Sequence, residues 1–396
     1  MAKVILHIDL NQFFVRCEEL KDPTLINKPV AVGHDGRSGI VSTCSYKARE
    51  FGVRSGIPMF QAKKLCPELI VKPVDFRFYG VLSREFFKFV KSYTPLVENA
   101  SIDECYADFT LPLKGIKDVE VYFKDFQKKL FNKTGLNCSI GIAPNRFLAK
   151  MGSDYKKPNG ITIVRKKDIE KIIFPLPVKD FYGIGKKTSP RLESIGINSI
   201  GDLYQRIINN DEDVKNILGK FFYAIKDLLE GKGSDEINVE PSDPKSIGHS
   251  TTLPNDTNNY EEIKHVLEFL SKEVSQRANE ENKIGTTVQI VVKEPAPSFK
   301  TFNKSTTFAN PTNDWKVIFD KAMNLYDKNF IDKTIRLVGV TLQNLISPKD
   351  MAIQMTLFYY ESHEEESSTK LLINELNRRL KKPALIRASE VERKKK

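Results

Sequence analysis

Hydrophobic spacing divides the first 165 residues into short strands and amphipathic helices. Residues 3–8 form an almost unbroken apolar run, KVILHI, that stops at Asp9 and reads as a buried strand. Asn11, Gln12, Phe13 and Phe14 then turn the chain into a helix that runs to about Leu20. Strands are expected at 29–32 and 40–43, joined by the Gly-rich turn 33–39. A short helix carries Tyr46, Lys47, Ala48 and Arg49 and ends near Gly52, and a second runs from about 56 to Cys66. Residues 79–92 have helical spacing, with Phe86, Phe87, Phe89 and Val90 on the apolar side. The segment 97–109, VENASIDECYADF, looks like a strand, with Ile102, Tyr106 and Phe109 suited to a pleated, half-buried surface. A helix at 119–134, a strand at 136–142, a helix at 145–156 and a strand at 161–164 complete the region. The pattern is two strand–helix–strand halves, an α+β, ferredoxin-like sheet interrupted by an insertion at 21–75 that has few large core residues.

Composition changes near Ile169. The stretch 178–204 contains FYGIGKKT, a helix, and then GINSIGDL, an arrangement similar to a helix-hairpin-helix module. Gly183 and Gly185 let backbone N–H groups approach a phosphate, and Lys186 and Lys187 add charge, so such contacts ignore base sequence. Residues 231–244 are rich in Gly, Ser, Pro, Asp and Glu and read as an exposed linker. Beyond it, strands are expected at 246–253, 286–293, 299–308 and 335–345, with helices at 260–279 and 313–328, making a separate α/β domain. The segment 354–358, QMTLF, is either an edge strand or an extended docking peptide with Gln354, Leu357 and Phe358 as anchors. A short helix at 367–380 and a basic tail at 393–396 follow.

Charge narrows the choice of partner. The 396 residues carry 62 Lys+Arg against 51 Asp+Glu, a net charge of +11, with a pI near 9.1. That excess favours a polyanion, most simply nucleic acid. No apolar run approaches the roughly 20 residues that cross a bilayer, so a cytoplasmic protein is expected. The five cysteines, Cys17, Cys44, Cys66, Cys105 and Cys138, show neither paired metal spacing nor a disulfide framework, and read as reduced and mostly buried thiols.

The candidate chemistry centres on carboxylates. Asp103 and Glu104 are adjacent acids that repel each other and resist burial unless a cation relieves both. Taken alone, such a pair is more often a solvent-facing hairpin tip. Asp9 at a strand's end either caps the following helix or stands free at a sheet edge to meet a metal. Tyr46 and Arg49, three apart, share a helix face and can offer a hydroxyl and a planar fork to phosphate oxygens, although a solvated surface is the usual state of such a pair.

Five blocks in order, HIDLNQFF, VSTCSYKAREFGV, SIDECYADF, GIAPNRFLAKMGSDYKKPNG and FYGIGKKT, together resemble Y-family translesion DNA polymerases of the bacterial DNA polymerase IV type. The resemblance is densest over 3–190 and extends more loosely to the C-terminus. It implies a right-hand polymerase, α+β and multidomain. The ferredoxin-like palm would span 1–20 and 76–168, small fingers 21–75, and a helix-hairpin-helix thumb 169–232. A linker would follow at 233–244, an α/β little finger at 245–347, and a C-terminal segment at 348–396. It implies error-prone, template-directed transfer from a dNTP to a primer 3′-OH, with low processivity and no proofreading.

By the same likeness Asp9, Asp103 and Glu104 are the catalytic and metal-binding carboxylates, joined by the backbone carbonyl of Leu10, and the cofactor is two Mg²⁺ ions. Phe14 matches the steric gate against a ribose 2′-OH. Phe13, Thr43, Tyr46, Arg49 and Lys157 match nucleotide contacts, and Gly183, Gly185, Lys186 and Lys187 DNA contacts. The expected partners are primer–template DNA, dNTP and a sliding clamp, bound through Gln354, Leu357 and Phe358 by a monomeric enzyme. Departures are modest: Asn11 stands where many members have a second Asp, Cys105 where a small residue is common, and Arg146 where a Lys is usual. Physics supports the assignment, because two divalent ions roughly 4 Å apart stabilise both attacking and leaving oxygens and Mg²⁺ prefers hard carboxylate oxygens. A DNA-binding scaffold with lapsed catalysis is the alternative, and a nucleotidyl cyclase built on a similar sheet a more distant one.

Overall fold

The computed structural model describes residues 3–240 and 243–350, with the single positions 373, 376 and 385 beyond them. The chain divides into two compact units, Met1–Ser242 and Asp243–Lys396. The expected helix at 367–380, the basic tail and the segment 354–358 lie outside the described residues, apart from those single positions.

In the first unit, β1 (Ile5–Leu10) leads into α1 (Phe13–Lys21). Asp9 lies within β1, and α1 is capped at Gln12 with no side-chain bond, so the helix-cap reading of Asp9 does not hold. The insertion forms a three-stranded sheet in the order β3 (Val41–Cys44), β2 (Val30–Gly33), β4 (Ile70–Lys72), with α2 (Tyr46–Glu50) and α3 (Met59–Leu65). Its core is built of small and medium side chains such as Ala31, Val41, Ala48, Val53, Met59 and Ala62, as the sparse apolar pattern suggests. The third strand, β4, has no counterpart in the sequence reading, because three half-buried residues give too short a period to see.

Helix α4 (Phe76–Lys91) then returns to the main sheet, and β5 (Val97–Asn99) and β6 (Glu104–Asp108) form a hairpin. The stretch 97–109 is therefore two strands and a tip rather than one strand. Helix α5 (Val119–Thr134), β7 (Cys138–Ala143), α6 (Arg146–Tyr155) and β8 (Ile161–Ile163) follow. The sheet order β5-β6-β1-β7-β8 is the ferredoxin-like arrangement with β8 added parallel to β7 at one edge.

Both faces of this sheet are covered, which is why β1 is buried throughout. Leu6, Ile8 and Leu10 face the core shared with Phe86, Phe89, Phe123 and Phe126 of α4 and α5. Ile5, His7 and Asp9, at alternate positions, point to the other face, where α6 lies. Helix α6 comes very close: a Cβ added at Gly141 of β7 would fall 1.9 Å from the Ala149 carbonyl oxygen and 2.4 Å from the Ser153 nitrogen. Only glycine permits that approach, and it brings Lys150 and Ser153 over the β1 residues.

The chain continues through α7 (Ile169–Ile172), α8 (Ser189–Glu193), α9 (Ile200–Ile208), α10 (Glu212–Leu218) and α11 (Phe221–Leu229). Their apolar side chains form one core with Phe147, Leu148 and Met151 of α6, and the rings of Phe147 and Phe181 meet at 4.7 Å. The expected exposed linker is anchored over 234–238. The Arg146 backbone N–H bonds the Ser234 carbonyl at 3.1 Å, and the Asn238 N–H bonds Glu98 Oε2 at 2.8 Å.

The second unit is a four-stranded antiparallel sheet in the order β11-β10-β12-β9. Its strands are β9 (Ser246–Thr257), β10 (Ile284–Lys293), β11 (Thr301–Thr312) and β12 (Ile335–Ile346), with α12 (Tyr260–Glu280) and α13 (Trp315–Phe330) packed on its apolar side. β9 and β11 run four residues past their expected ends through mostly polar, partly exposed positions, β11 begins at Thr301 rather than at 299, β10 starts two residues early at the buried Ile284, and β12 ends one residue late.

Candidate active site

At one end of the first sheet, two distant segments bring their acids together. Asp9 of β1 pairs directly with Glu104 of β6, so both side chains leave the same face. The Leu10 N–H bonds the Asp103 carbonyl at 3.0 Å, which holds the hairpin tip against the end of β1. Hairpin tip and acidic site are thus one and the same. Asp103 is bonded to the Ser101 hydroxyl at 2.6 Å. Burial, reinforced by Asp9 and Glu104, pushes the Asp103 carboxyl above its ordinary range.

The ligand atoms of His7, Asp9 and Glu104 all lie within 4.8 Å of one another. The carboxylates suit a hard divalent ion, so the donor set fits a metal at this end of the sheet. The imidazole is already engaged: Nδ1 lies 2.8 Å from the Ser153 hydroxyl and Nε2 3.0 Å from Glu104 Oε2. Burial lowers the His7 pKa, and the Ser153 hydroxyl that faces Nδ1 itself donates to the Lys150 carbonyl at 2.8 Å. Glu104 is held down at about 2, first by the His7 hydrogen bond and then by the Lys150 charge, against the opposing effect of burial.

Two lysines neutralise the acids. The Lys150 ammonium is 3.3 Å from Asp9 Oδ2 and 3.3 Å from Glu104 Oε2. The Lys157 ammonium is 2.7 Å from Asp9 Oδ2 and 2.7 Å from Asp154 Oδ1. Burial works against the Lys150 charge, but Asp154, Asp9 and Glu104 outweigh it and its pKa is raised.

Beside the acids lies a cleft of about 320 Å³ lined by Asn11, Gln12, Tyr46, Asn137 and Asn159 among others. Asn11 accepts from the Ser139 hydroxyl at 2.8 Å and donates to Asn159 at 2.8 Å, and the Tyr46 hydroxyl donates to Asn11 at 3.4 Å. Gln12 accepts from the Tyr46 N–H at 2.9 Å. The Arg49 guanidinium lies 4.8 Å from the centre of the Tyr46 ring. Phe14 is half-buried and stacks on Tyr79 at 4.7 Å, while Tyr79 donates to Glu18 at 2.7 Å.

Of the residues expected from the sequence, Asp9, Glu104 and Lys157 come together, Leu10 and Asp103 are joined beside them through the backbone with the Asp103 carboxyl outside the His7–Asp9–Glu104 group, and Tyr46, with Arg49 against its ring, lines the neighbouring cleft. Phe13 is 2% exposed in the core, so only its backbone is available to a ligand. Thr43 is half-buried on β3, three residues before Tyr46. Gly183 and Gly185 precede α8, and Lys186 and Lys187 are exposed. Gly183 has φ +106°, and a Cβ there would lie 2.8 Å from the Phe221 ring, so this turn requires glycine. His7, Lys150, Ser153 and Asp154 were not singled out in the sequence. The available signals were the two-residue spacing of His7 from Asp9 and the one-turn spacing of Lys150 from Asp154.

Comparison with known proteins places this geometry in a family. Residues 8–154 match the impB/mucB/samB family, 166–197 its helix-hairpin-helix motif and 244–357 its C-terminal domain. The chain is 37% identical over 397 residues to DNA polymerase IV of Bacillus velezensis, covering 98% of this chain and 94% of that protein. The chain belongs to the Y-family DNA polymerases of the DNA polymerase IV type. DNA polymerase IV 1 of Bacillus subtilis is also 37% identical, over 96% of this chain and 91% of its own. Among solved structures, the Y-family DNA polymerase chimera Dbh-Dpo4(243-245)-Dbh matches with a TM-score of 0.76 at 26% identity, covering 87% of this chain and 99% of that one. The architecture is the right-hand polymerase, with ferredoxin-like palm, small fingers, helical thumb and little finger. Members of the DNA polymerase IV type are DNA-directed DNA polymerases of translesion synthesis, and so is this enzyme. It uses a divalent metal, primer–template DNA and dNTP, as the family does. No helix among the described residues is long and apolar enough to cross a membrane.

Proposed function

We propose that Asp9, Asp103, Glu104 and the Leu10 carbonyl hold two Mg²⁺ ions at the end of the palm sheet, where error-prone synthesis past template lesions takes place. The observation that carries this reading is the pairing of Asp9 with Glu104, with the Leu10–Asp103 backbone bond beside it. When bound, the ions would stabilise the attacking and leaving oxygens of nucleotidyl transfer. Tyr46, Arg49 and Lys157 bind the triphosphate, Thr43 and the Phe13 backbone complete the nucleotide pocket, and Phe14 excludes a ribose. The Tyr46–Arg49 stack and the reach of Lys157 to Asp9 support these roles. Gly183, Gly185, Lys186 and Lys187 grip backbone phosphates of the duplex.

The domain limits follow the same reading: palm 1–20 and 76–168, fingers 21–75, thumb 169–232, connecting stretch 233–244 and little finger 245–347. Gln354, Leu357 and Phe358 dock on a sliding clamp, and the enzyme acts as a monomer of low processivity without proofreading. Five free, buried cysteines fit a reducing, cytoplasmic setting.

Primer extension on undamaged and lesion-bearing templates tests this reading. The wild type with Mg²⁺ extends both, and Asp103→Ala abolishes extension while duplex affinity stays within about twofold. Unchanged extension by Asp103→Ala sinks the catalytic assignment. Deletion of 354–358 lowers synthesis on clamp-loaded DNA and spares basal activity, and equal clamp stimulation after deletion rejects the docking role.

A further inference from the structure

Asp9 Oδ2 is shared by two ammonium groups, Lys150 at 3.3 Å and Lys157 at 2.7 Å. Lys150 also lies 3.3 Å from Glu104 Oε2, so it stands between the two paired carboxylates, with its side chain only 11% exposed. Its stem is fixed by the close seating of α6 on Gly141. Its head has one further neighbour, Asp154 Oδ2 at 3.4 Å, one helical turn along and half exposed. Asp154 in turn engages Lys157 through its other oxygen at 2.7 Å.

A divalent ion and an ammonium group compete for the same carboxylate lone pairs. We propose that Lys150 is a resident counter-cation that holds Asp9 and Glu104 together in the free enzyme and opposes divalent-ion binding until nucleotide is present. The inference rests on the reading of Asp9 and Glu104 as metal carboxylates and of Lys157 as a triphosphate contact. A triphosphate gripped by Lys157 draws that ammonium from Asp9 and from Asp154. Asp154 then has both oxygens available to Lys150, and the carboxylate pair is released for the metal. Nucleotide and metal thereby bind with positive coupling, set by one side chain.

The test is Mn²⁺ binding to the full-length protein without DNA, followed by the paramagnetic resonance of the free ion, with and without a non-hydrolysable dNTP analogue. The wild type binds Mn²⁺ weakly alone and more tightly with the analogue. Lys150→Met and Lys150→Gln bind Mn²⁺ at least about tenfold more tightly than wild type without nucleotide, and the analogue adds little. Lys150→Gln keeps a donor between the acids and removes only the charge, so it carries the test if Lys150→Met does not fold. In chelator both variants melt below wild type, and Mn²⁺ raises their Tm by more than it raises that of wild type.

Tight Mn²⁺ binding by the nucleotide-free wild type overturns the proposal, as does wild-type or weaker affinity in Lys150→Gln. A purely structural lysine would lower Tm equally with and without Mn²⁺. Asp9→Asn and Glu104→Gln separate the two levels of inference. If they bind Mn²⁺ like wild type with the analogue present, the carboxylate reading fails. If they lose it and Lys150→Gln is unaltered, only the lysine's role fails.

Discussion

His7 Nε2 lies 3.0 Å from Glu104 Oε2, and the imidazole is wholly buried between two strands and α6. The bond fixes which way the carboxylate faces, much as an outer-shell partner orients a metal ligand. His7→Gln places an amide N–H near the position of Nε2, whereas His7→Phe keeps the volume and removes the donor. Extension by His7→Gln is expected to fall by about tenfold and that by His7→Phe by about a hundredfold. Equal losses in steady-state kinetics would mean that packing, rather than the hydrogen bond, is what His7 supplies.

The same pair sets a direction for pH dependence in metal-free protein. Glu104 is about 2 when folded against an ordinary 4.5, so its contribution to stability is complete above pH 4.5 and is lost as pH falls toward 2. His7 is lowered from 6.5 by burial, so the unfolded chain takes up its proton first and stability also falls as pH drops below 6.5. Both effects have the same sign. Thermal melts in chelator should show Tm declining from about pH 6.5 downward, and Glu104→Gln should flatten the part below pH 4.5. Asp103, raised by burial, works in the opposite direction, so the deciding comparison is with the variant, and an acid limb unchanged in Glu104→Gln contradicts the assignment.

The face-on stack of Phe14 with Tyr79 fixes the ring proposed to exclude ribonucleotides. Tyr79 is held in turn by Glu18, whose other partner is Lys21. Phe14→Ala should raise ribonucleotide incorporation by at least about a hundredfold, a loss of discrimination of the size that one well-placed steric contact gives. Tyr79→Ala should raise it less, because the gate remains but can tilt. Single-nucleotide insertion with matched rNTP and dNTP measures both, and unchanged discrimination in Phe14→Ala assigns the gate elsewhere.

The strands and helices of the palm were legible because both faces of its sheet are buried and every element carries an apolar signature. The acids were legible as well, since Asp9 interrupts an apolar run and Asp103-Glu104 interrupts a strand-like one. The hairpin tip within 97–109 was legible only as the alternative to an acidic site, and Ile102, half-buried beneath the tip, let the stretch read as one strand. The lysine and histidine partners were hidden for a different reason. Lys150 and Asp154 have the spacing of an ordinary solvated i,i+4 pair, and only the contact of α6 with β1 turns Lys150 inward, while Asp154 stays half exposed. That contact depends on Gly141, whose significance lies in what stands 1.9 Å from its missing Cβ.

Gly141→Ala follows directly. The added methyl overlaps the Ala149 carbonyl and the Ser153 nitrogen, both backbone atoms of α6 that cannot rotate away. The helix has to lift, at a cost of about 1–3 kcal/mol, and Lys150 and Ser153 lift with it. Denaturant unfolding should show the loss, and extension should fall by more than the unfolded fraction accounts for. Wild-type stability in this variant would mean that α6 is not seated as described.

Arg146 of α6 engages two of its guanidinium nitrogens and stacks on an aromatic ring. One guanidinium nitrogen bonds Glu98, another bonds the Glu236 carbonyl at 3.2 Å, and the guanidinium carbon lies 4.4 Å from the centre of the Tyr106 ring. Glu98 also accepts from the Asn238 N–H, so the Arg146–Glu98 pair fastens residues 236–238 to the edge of the palm. A lysine has one compact charge and cannot serve both oxygens in plane while stacking on the ring. Arg146→Lys should therefore cost about 1 kcal/mol and speed proteolysis within 234–240, leaving the acids and their lysines in place. Limited proteolysis with mass spectrometry reads the cleavage position directly. Unchanged protection of 234–240 would show that the backbone bond from Arg146 to Ser234 is enough to hold the segment.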